Sequence, residues 1–309
     1  MKPGHLESTK EACLTALADS EMKAVAEVLA RAGHDERAVV NAVQSTARQK
    51  YAEAVWEPLL EACVRAGFSE DAIALQRWAL LQTIKWFVDR VPSCPVAEAV
   101  KDLLLEEYCY VARPGKGFRN VFSLRGNGFR AFCQLAILER FPAGQSHWIV
   151  DGFPRSWIAK APLADVPRLA FFLTVRMKGV RPYFVGHRAP RWPPVVLERE
   201  AEKSLCLIAK SMELQPAIRG FMGSSWLNDP ALAAISPHLG WIAAQGLDNG
   251  ALLTTVGPSP DDAGFLSGND RRRQLYESGE WRPQVGVKLW PRQAMIAWAR
   301  SRESDLAGV

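Results

Sequence analysis

Arg113-Pro114-Gly115-Lys116-Gly117 divides the chain into two stretches of different character. Upstream, from about Glu7 to Ala112, there is almost no strand signal, and segments such as Lys23–Arg31 are rich in good helix formers. Helices are expected near 8–32, 35–65, 69–91 and 96–112, the second broken near Glu57-Pro58 and the fourth opening after Pro95. Arg31-Ala32-Gly33 and Arg65-Ala66-Gly67 are stops, each a cation in the last turn followed by glycine. Acidic restarts follow at Asp35-Glu36 and Ser69-Glu70-Asp71. The stops recur at a period of 34 residues, Gly33 to Gly67, which is either a helical-hairpin repeat or two helices ended alike. Trp78, Leu81, Ile84 and Val88 form an apolar stripe at helical spacing, suited to a core face.

Downstream, proline and glycine separate short apolar runs. Strands are expected at Asn120–Leu124, His147–Val150, Phe171–Val175 (or a helix through it from Val166), Pro182–Val185, Ile218–Gly223, Leu239–Ala244, Ala251–Val256 and Gln284–Leu289. Helices are expected at Phe129–Arg140, Leu197–Leu214, Asp270–Glu277 and Arg292–Arg302, and Asn249-Gly250 between two apolar runs signals a hairpin. The fold class is therefore α+β: an all-helical region over 1–112, then a mixed α/β sheet domain over 113–309 with helices packed on the sheet.

Composition excludes several classes. The chain has 309 residues, 48% of them hydrophobic and 23% charged, ordinary values for a globular protein. A net charge of +5 over that length suits an anionic small molecule better than a nucleic-acid duplex. Arg191-Trp192, Trp281-Arg282 and Trp290-Pro291-Arg292 could stack bases, or could be arginines lying over core tryptophans. Met1–Leu14 lacks the apolar centre of a signal peptide, and no run approaches the ~18 apolar residues of a membrane span. The six cysteines form no Cys-x-x-Cys and sit in apolar contexts, as reduced core residues of a cytoplasmic protein do. The five histidines are scattered, so no metal site is expected. Oligomeric state stays open.

Arg113 to Arg130 holds five cations and no carboxylate, threaded through glycines. Its end, Val121–Arg130, reads as a strand, a glycine turn and a helix, a place where backbone N–H groups and nearby cations favour phosphate. The stretch resembles the acyl-CoA pyrophosphate loop of the GNAT superfamily of N-acyltransferases, Arg/Gln-x-x-Gly-x-Gly/Ala. Arg125 and Gly128 match, and Arg130 stands where the family has a small residue. A second fragment, Asn269–Tyr276 followed by Gly279, is similar to the family's late helix, Asn-x-x-Ala-x-x-x-Tyr, then Gly-Phe and a strand. Arg272 replaces the alanine, and the glycine arrives one residue early.

The resemblance implies an acyl-CoA-dependent N-acyltransferase acting on a small amine or amino-acid-like substrate. Acetyl-CoA or another acyl-CoA would be the cofactor, held by Arg125, Asn127, Gly128, Arg130 and Asn269, with Tyr276 as general acid for the departing thiolate.

Gly223-Ser224-Ser225-Trp226-Leu227-Asn228-Asp229-Pro230 runs from a strand into small residues and a turn. Ser224, Ser225 and Trp226 are candidates for substrate contact there, and Asp229 and His238 for a cofactor-free acid–base pair. The Gly-x-Ser-x-Gly elbow of a serine nucleophile is absent. The alternative function is a non-catalytic ligand- or protein-binding module, with a Trp-lined cleft around Trp226 and Asp229 between the two regions.

Overall fold

The computed structural model describes residues 1–2, 4–49, 53–68, 72–113, 127–189, 197–260, 264–266 and 269–302. The chain forms two compact units, one of Met1–His147 with Arg188–Val195, the other of Trp148–His187 with Val196–Val309. The class is α+β, as the sequence implies. The expected strand Asn120–Leu124, the shift at 114–117 and Arg125 lie outside the described residues.

The first unit contains α1 (His5–Leu17), α2 (Ser20–Arg31), α3 (Glu36–Arg48), α4 (Glu53–Arg65), α5 (Ile73–Gln82), α6 (Ile84–Arg90), α7 (Glu98–Ala112) and α8 (Asn127–Ala136). Three expected helices are each split in two. Ala18 and Asp19 separate α1 from α2, Asp19 taking an extended backbone just before the second helix. The extended backbone of Gln49 ends α3, and Pro58 lies inside α4 instead of breaking it. Thr83 divides α5 from α6, its Oγ1 bonded to Tyr108 Oη at 2.6 Å.

The 34-residue echo is one capping device used twice. Gly33 and Gly67 take φ of 80° and 89°. His34 N donates to Leu29 O (2.9 Å) and Phe68 N to Cys63 O (3.1 Å), which satisfies carbonyls at each helix end. The Trp78, Leu81, Ile84, Val88 stripe is buried as expected. Arg77, on buried α5, donates to Val111 O (3.1 Å) and Ala112 O (2.7 Å), capping α7.

The strands are β1 (Arg140–Ala143), β2 (Ser146–Asp151), β3 (Tyr183–Arg188), β4 (Gly220–Ser225), β5 (Leu252–Pro258) and β6 (Gln284–Pro291), in the order β1-β2-β3-β4-β6-β5. β1 falls at the end of a run expected to be helical; its Pro142 is tolerated because the strand lies at a sheet edge. β3 and β4 are parallel, joined by α10 (Glu198–Glu213), and β6 runs antiparallel to both β4 and β5. α9 (Val166–Phe171) continues as a wider π turn through Arg176, so the helical alternative for that run holds. Leu169, Leu173 and Met177 cover one sheet face, packing on Tyr183, Val185, Met222, Val287 and Leu289.

The remaining elements are α11 (Leu232–Ile235), α12 (Gly240–Ala244), α13 (Asp270–Glu277) and α14 (Arg292–Ser301). The expected strand at Leu239–Ala244 is wrong. Pro237 opens a 3-10 turn that leads into α12, so Asn249-Gly250 joins a helix to β5 and makes no hairpin. Arg292, at the start of α14, gathers the carbonyls of Met212, Gln215 (2.8 Å) and Ile218 (3.2 Å) at the end of α10. That ties the crossover helix to the last strand.

Candidate active site

The candidate site lies at the carboxyl ends of β3 and β4. Their ladder pairs Phe184 with Phe221, Val185 with Met222 and Gly186 with Gly223. β3 then runs on to Arg188, while β4 stays bonded to β6 through Ser224↔Val287 and Ser225↔Gly286. Past Gly186 and Gly223, therefore, the two parallel strands continue without further ladder pairs to each other among the described residues. Openings of this kind between parallel strands are where open sheets bind ligands.

Two close approaches shape this end. A Cβ on Gly186 would meet the Phe221 ring at 2.7 Å, so the glycine lets that ring lie across the last rung on one face. On the other face, alternation places His187 and Ser224 beside buried Val185 and Met222, both half-buried and both just beyond the ladder. Farther along, a Cβ on Gly286 would overlap the backbone of Asn228, so only glycine lets the turn after β4 sit on β6.

Ser225 starts that turn. Its Oγ accepts from Leu227 N at 3.1 Å, and Trp226–Asn228 form one 3-10 turn. Asp229 is 3% exposed, and its carboxylate accepts from Ala231 N (2.9 Å), Trp281 Nε1 (3.3 Å) and Gln284 N (2.9 Å). His238 is exposed on the Pro237–Leu239 turn. The structure thus brings Asp229 to Trp281 and β6, where it ties the turn to the strand; no Asp229–His238 bond occurs among the described residues.

Trp226 belongs to an aromatic cluster inside the second unit. Its ring lies 6.4 Å from Phe265 and 5.2 Å from the Arg272 guanidinium, and Phe265 lies 5.2 Å from Tyr276 and 5.8 Å from Trp281. Tyr276 is thus two ring contacts from the end of β4, with the Arg282 guanidinium 4.4 Å from its ring centre. Asn269 caps α13, its Oδ1 accepting from Arg272 N at 2.9 Å. α13 is followed by Gly279, with φ 79°, and then by β6. Of the basic-aromatic pairs, Trp281 and Trp290 are buried and Arg292 is held by carbonyls, which suits the core role better than base stacking.

No local pattern in the sequence marks Lys288. It lies opposite Gly223 on β6, 6% exposed, with Nζ donating to the Ile242 carbonyl of α12. Burial pulls its pKa down to about 8. His187 was one of five scattered histidines; the signal that could have found it is its place two residues after the expected strand Pro182–Val185.

The candidates around the glycine turn are in the first unit. Gly128 and Arg130 are half-buried in the first turn of α8, which precedes the six strands of the sheet among the described residues. Asn127 opens that helix.

No family model and no curated sequence matches the chain. Among solved structures, an acyltransferase in complex with decanoyl-CoA is similar at 14% identity and a TM-score of 0.48, over 78% of this chain and 79% of that one. An acyltransferase in complex with CoA and 10C-teicoplanin is similar at 13% identity and 0.45, over 77% and 79%. Likeness at this level assigns no ligand or activity to the present chain.

Proposed function

We propose that the chain is an acyl-CoA-dependent N-acyltransferase whose thioester lies in the opening between β3 and β4. The observation that carries this is the end of the parallel ladder at Gly186↔Gly223 while both strands continue. Strand edges past a ladder's end offer backbone donors and acceptors to an extended ligand, as in β-strand addition. The pantetheine arm of CoA suits such edges, because it is linear and carries two amides along its length.

Within this proposal the pyrophosphate lies at the start of α10, the helix that follows β3, instead of at the turn at Arg125–Arg130. A parallel strand–helix–strand unit is what brings a helix N-terminus to a ligand at the strand ends, and here that unit is β3, α10 and β4. The amine nitrogen attacks the thioester carbonyl, the C–S bond breaks and the sulfur departs as thiolate. His187, just past the ladder, takes the amine proton. Tyr276, in the cluster that adjoins Trp226, protonates the leaving sulfur. Ser224 faces the same side as His187 and is placed to bond the carbonyl oxygen.

Free-thiol release from acetyl-CoA and longer acyl-CoAs, with and without a panel of amines, tests this. Release should need both partners. Tyr276→Phe should lower kcat about 100-fold, the low end for a general acid, with little change in KM for the thioester. Thiol release by Tyr276→Phe at the wild-type rate removes its role, and no amine-dependent release with any thioester defeats the proposal.

A further inference from the structure

The first unit holds two neighbouring arginines, Arg130 and Arg140, with no ion pair to either among the described residues. Arg130 and Gln134 are four residues apart on α8 and share one face of it. Gln134 Nε2 donates to Ala47 O on α3 at 3.1 Å, which orients the amide so that Oε1 accepts from Arg140 Nε of β1 at 2.9 Å. This bond holds Arg140 next to the turn that carries Arg130.

The Arg130 charge reaches Arg140. Arg140 has its pKa pulled down to about 10, first by burial and then by the charge of Arg130. Arg130 Nε is shut off from solvent and has no hydrogen-bond partner. Among the described residues neither guanidinium makes an ion pair. Glu139, the carboxylate beside Arg140 in sequence, is bonded to Arg48 at 3.2 Å on the exposed side. The whole stretch from Arg113 to Arg130 contains no Asp or Glu.

Like charges held together away from water destabilise a fold unless something of opposite charge joins them. We propose that Arg130 and Arg140 form a binding site for a phosphate-type oxyanion in the first unit. Charge and shape both select that class. A phosphate group near −2 neutralises both cations, where a single carboxylate leaves one uncompensated. Its several oxygens accept from two guanidinium forks at once. The resemblance pairs Arg130 with Arg125; the partner that the structure supplies is Arg140.

Inorganic pyrophosphate is the probe, titrated against thermal unfolding of the full chain at constant ionic strength. The wild type should show a saturating rise in Tm, following RT ln(1 + [L]/Kd). Arg130→Gln is the decisive variant because Arg130 Nε makes no hydrogen bond and the side chain makes no ion pair among the described residues, so a folding failure is not expected. It should weaken the fitted affinity at least tenfold, and Arg140→Gln should do the same. Without anion, Arg130→Gln should melt at or above the wild-type temperature, since one of two repelling charges is gone. An affinity in Arg130→Gln within twofold of wild type overturns the proposal, as does a wild type with no saturating response. Unliganded Arg130→Gln melting several degrees below wild type also overturns it, because the cation would then be structural. Acetate as effective as pyrophosphate defeats the phosphate assignment. None of these results depends on thioester chemistry at β3 and β4.

Discussion

Lys288 makes the stability of this fold depend on pH in a direction that can be worked out beforehand. An unfolded chain holds the Lys288 proton up to the ordinary value of 10.5, whereas the folded chain releases it near pH 8. Between those values the unfolded state binds more protons, so the Lys288 contribution to stability rises with pH. The shift is about 2.5 units, and at 1.36 kcal/mol per unit most of it is expressed between pH 8 and pH 10, a gain of about 2 to 3 kcal/mol. Other groups act oppositely. Burial raises the pKa of Cys63 to about 11 and that of Cys13 to about 12, so these thiols favour folding less as pH climbs past their unfolded values. The comparison with Lys288→Met cancels them.

Urea unfolding followed by circular dichroism, at unit steps from pH 7 to pH 10, should show the variant's advantage over wild type shrinking by about 2 to 3 kcal/mol across the series. A difference that stays constant over that range refutes the reasoning, since Lys288 would then titrate alike in both states.

Replacing Asp229 with Asn leaves one oxygen for three donors; with that oxygen kept on Trp281 and Gln284, the amide N–H faces Ala231 N, which should cost about 1 to 3 kcal/mol, visible in urea unfolding. Lost activity with undiminished stability would instead restore the acid–base role for Asp229. Asn269→Ala removes the α13 cap and should cost about 1 kcal/mol, recovered by Asn269→Asp, with acyl-CoA affinity unchanged in calorimetry. Gly286→Ala drives a methyl into the Asn228 backbone and should cost about 1 to 3 kcal/mol; a neutral result would mean that the turn after β4 can move off β6.

What the sequence revealed follows from the range of each interaction. Helix stops at Gly33 and Gly67 are local, set by a cation and a glycine a few residues apart, and they appear where expected. The stripe from Trp78 to Val88 is local too. Leu239–Ala244 deceived because a short apolar run has no period long enough to tell a strand from a buried turn of helix, and Pro237 decided it. At the site, sequence picked Ser224, Ser225, Trp226 and Tyr276 for their chemistry, and the structure links Trp226 to Tyr276 through Phe265. Asp229 and Asn269 also stood out, but their polar atoms serve a strand and a helix end. The opening between β3 and β4 could not be read, because which strands are neighbours depends on pairing across more than 30 residues of intervening chain. His187 and Lys288 acquire meaning only from that pairing.

The central claim concerns where the thioester binds, and amide hydrogen exchange with peptide resolution measures that directly. Exchange should be compared for the chain alone and with saturating acyl-CoA. Slower exchange confined to segments spanning His187–Arg188 and Ser224–Ser225 is the result the account predicts, since a ligand between the strands occupies those edges. Unchanged exchange in both segments at saturating ligand would contradict it.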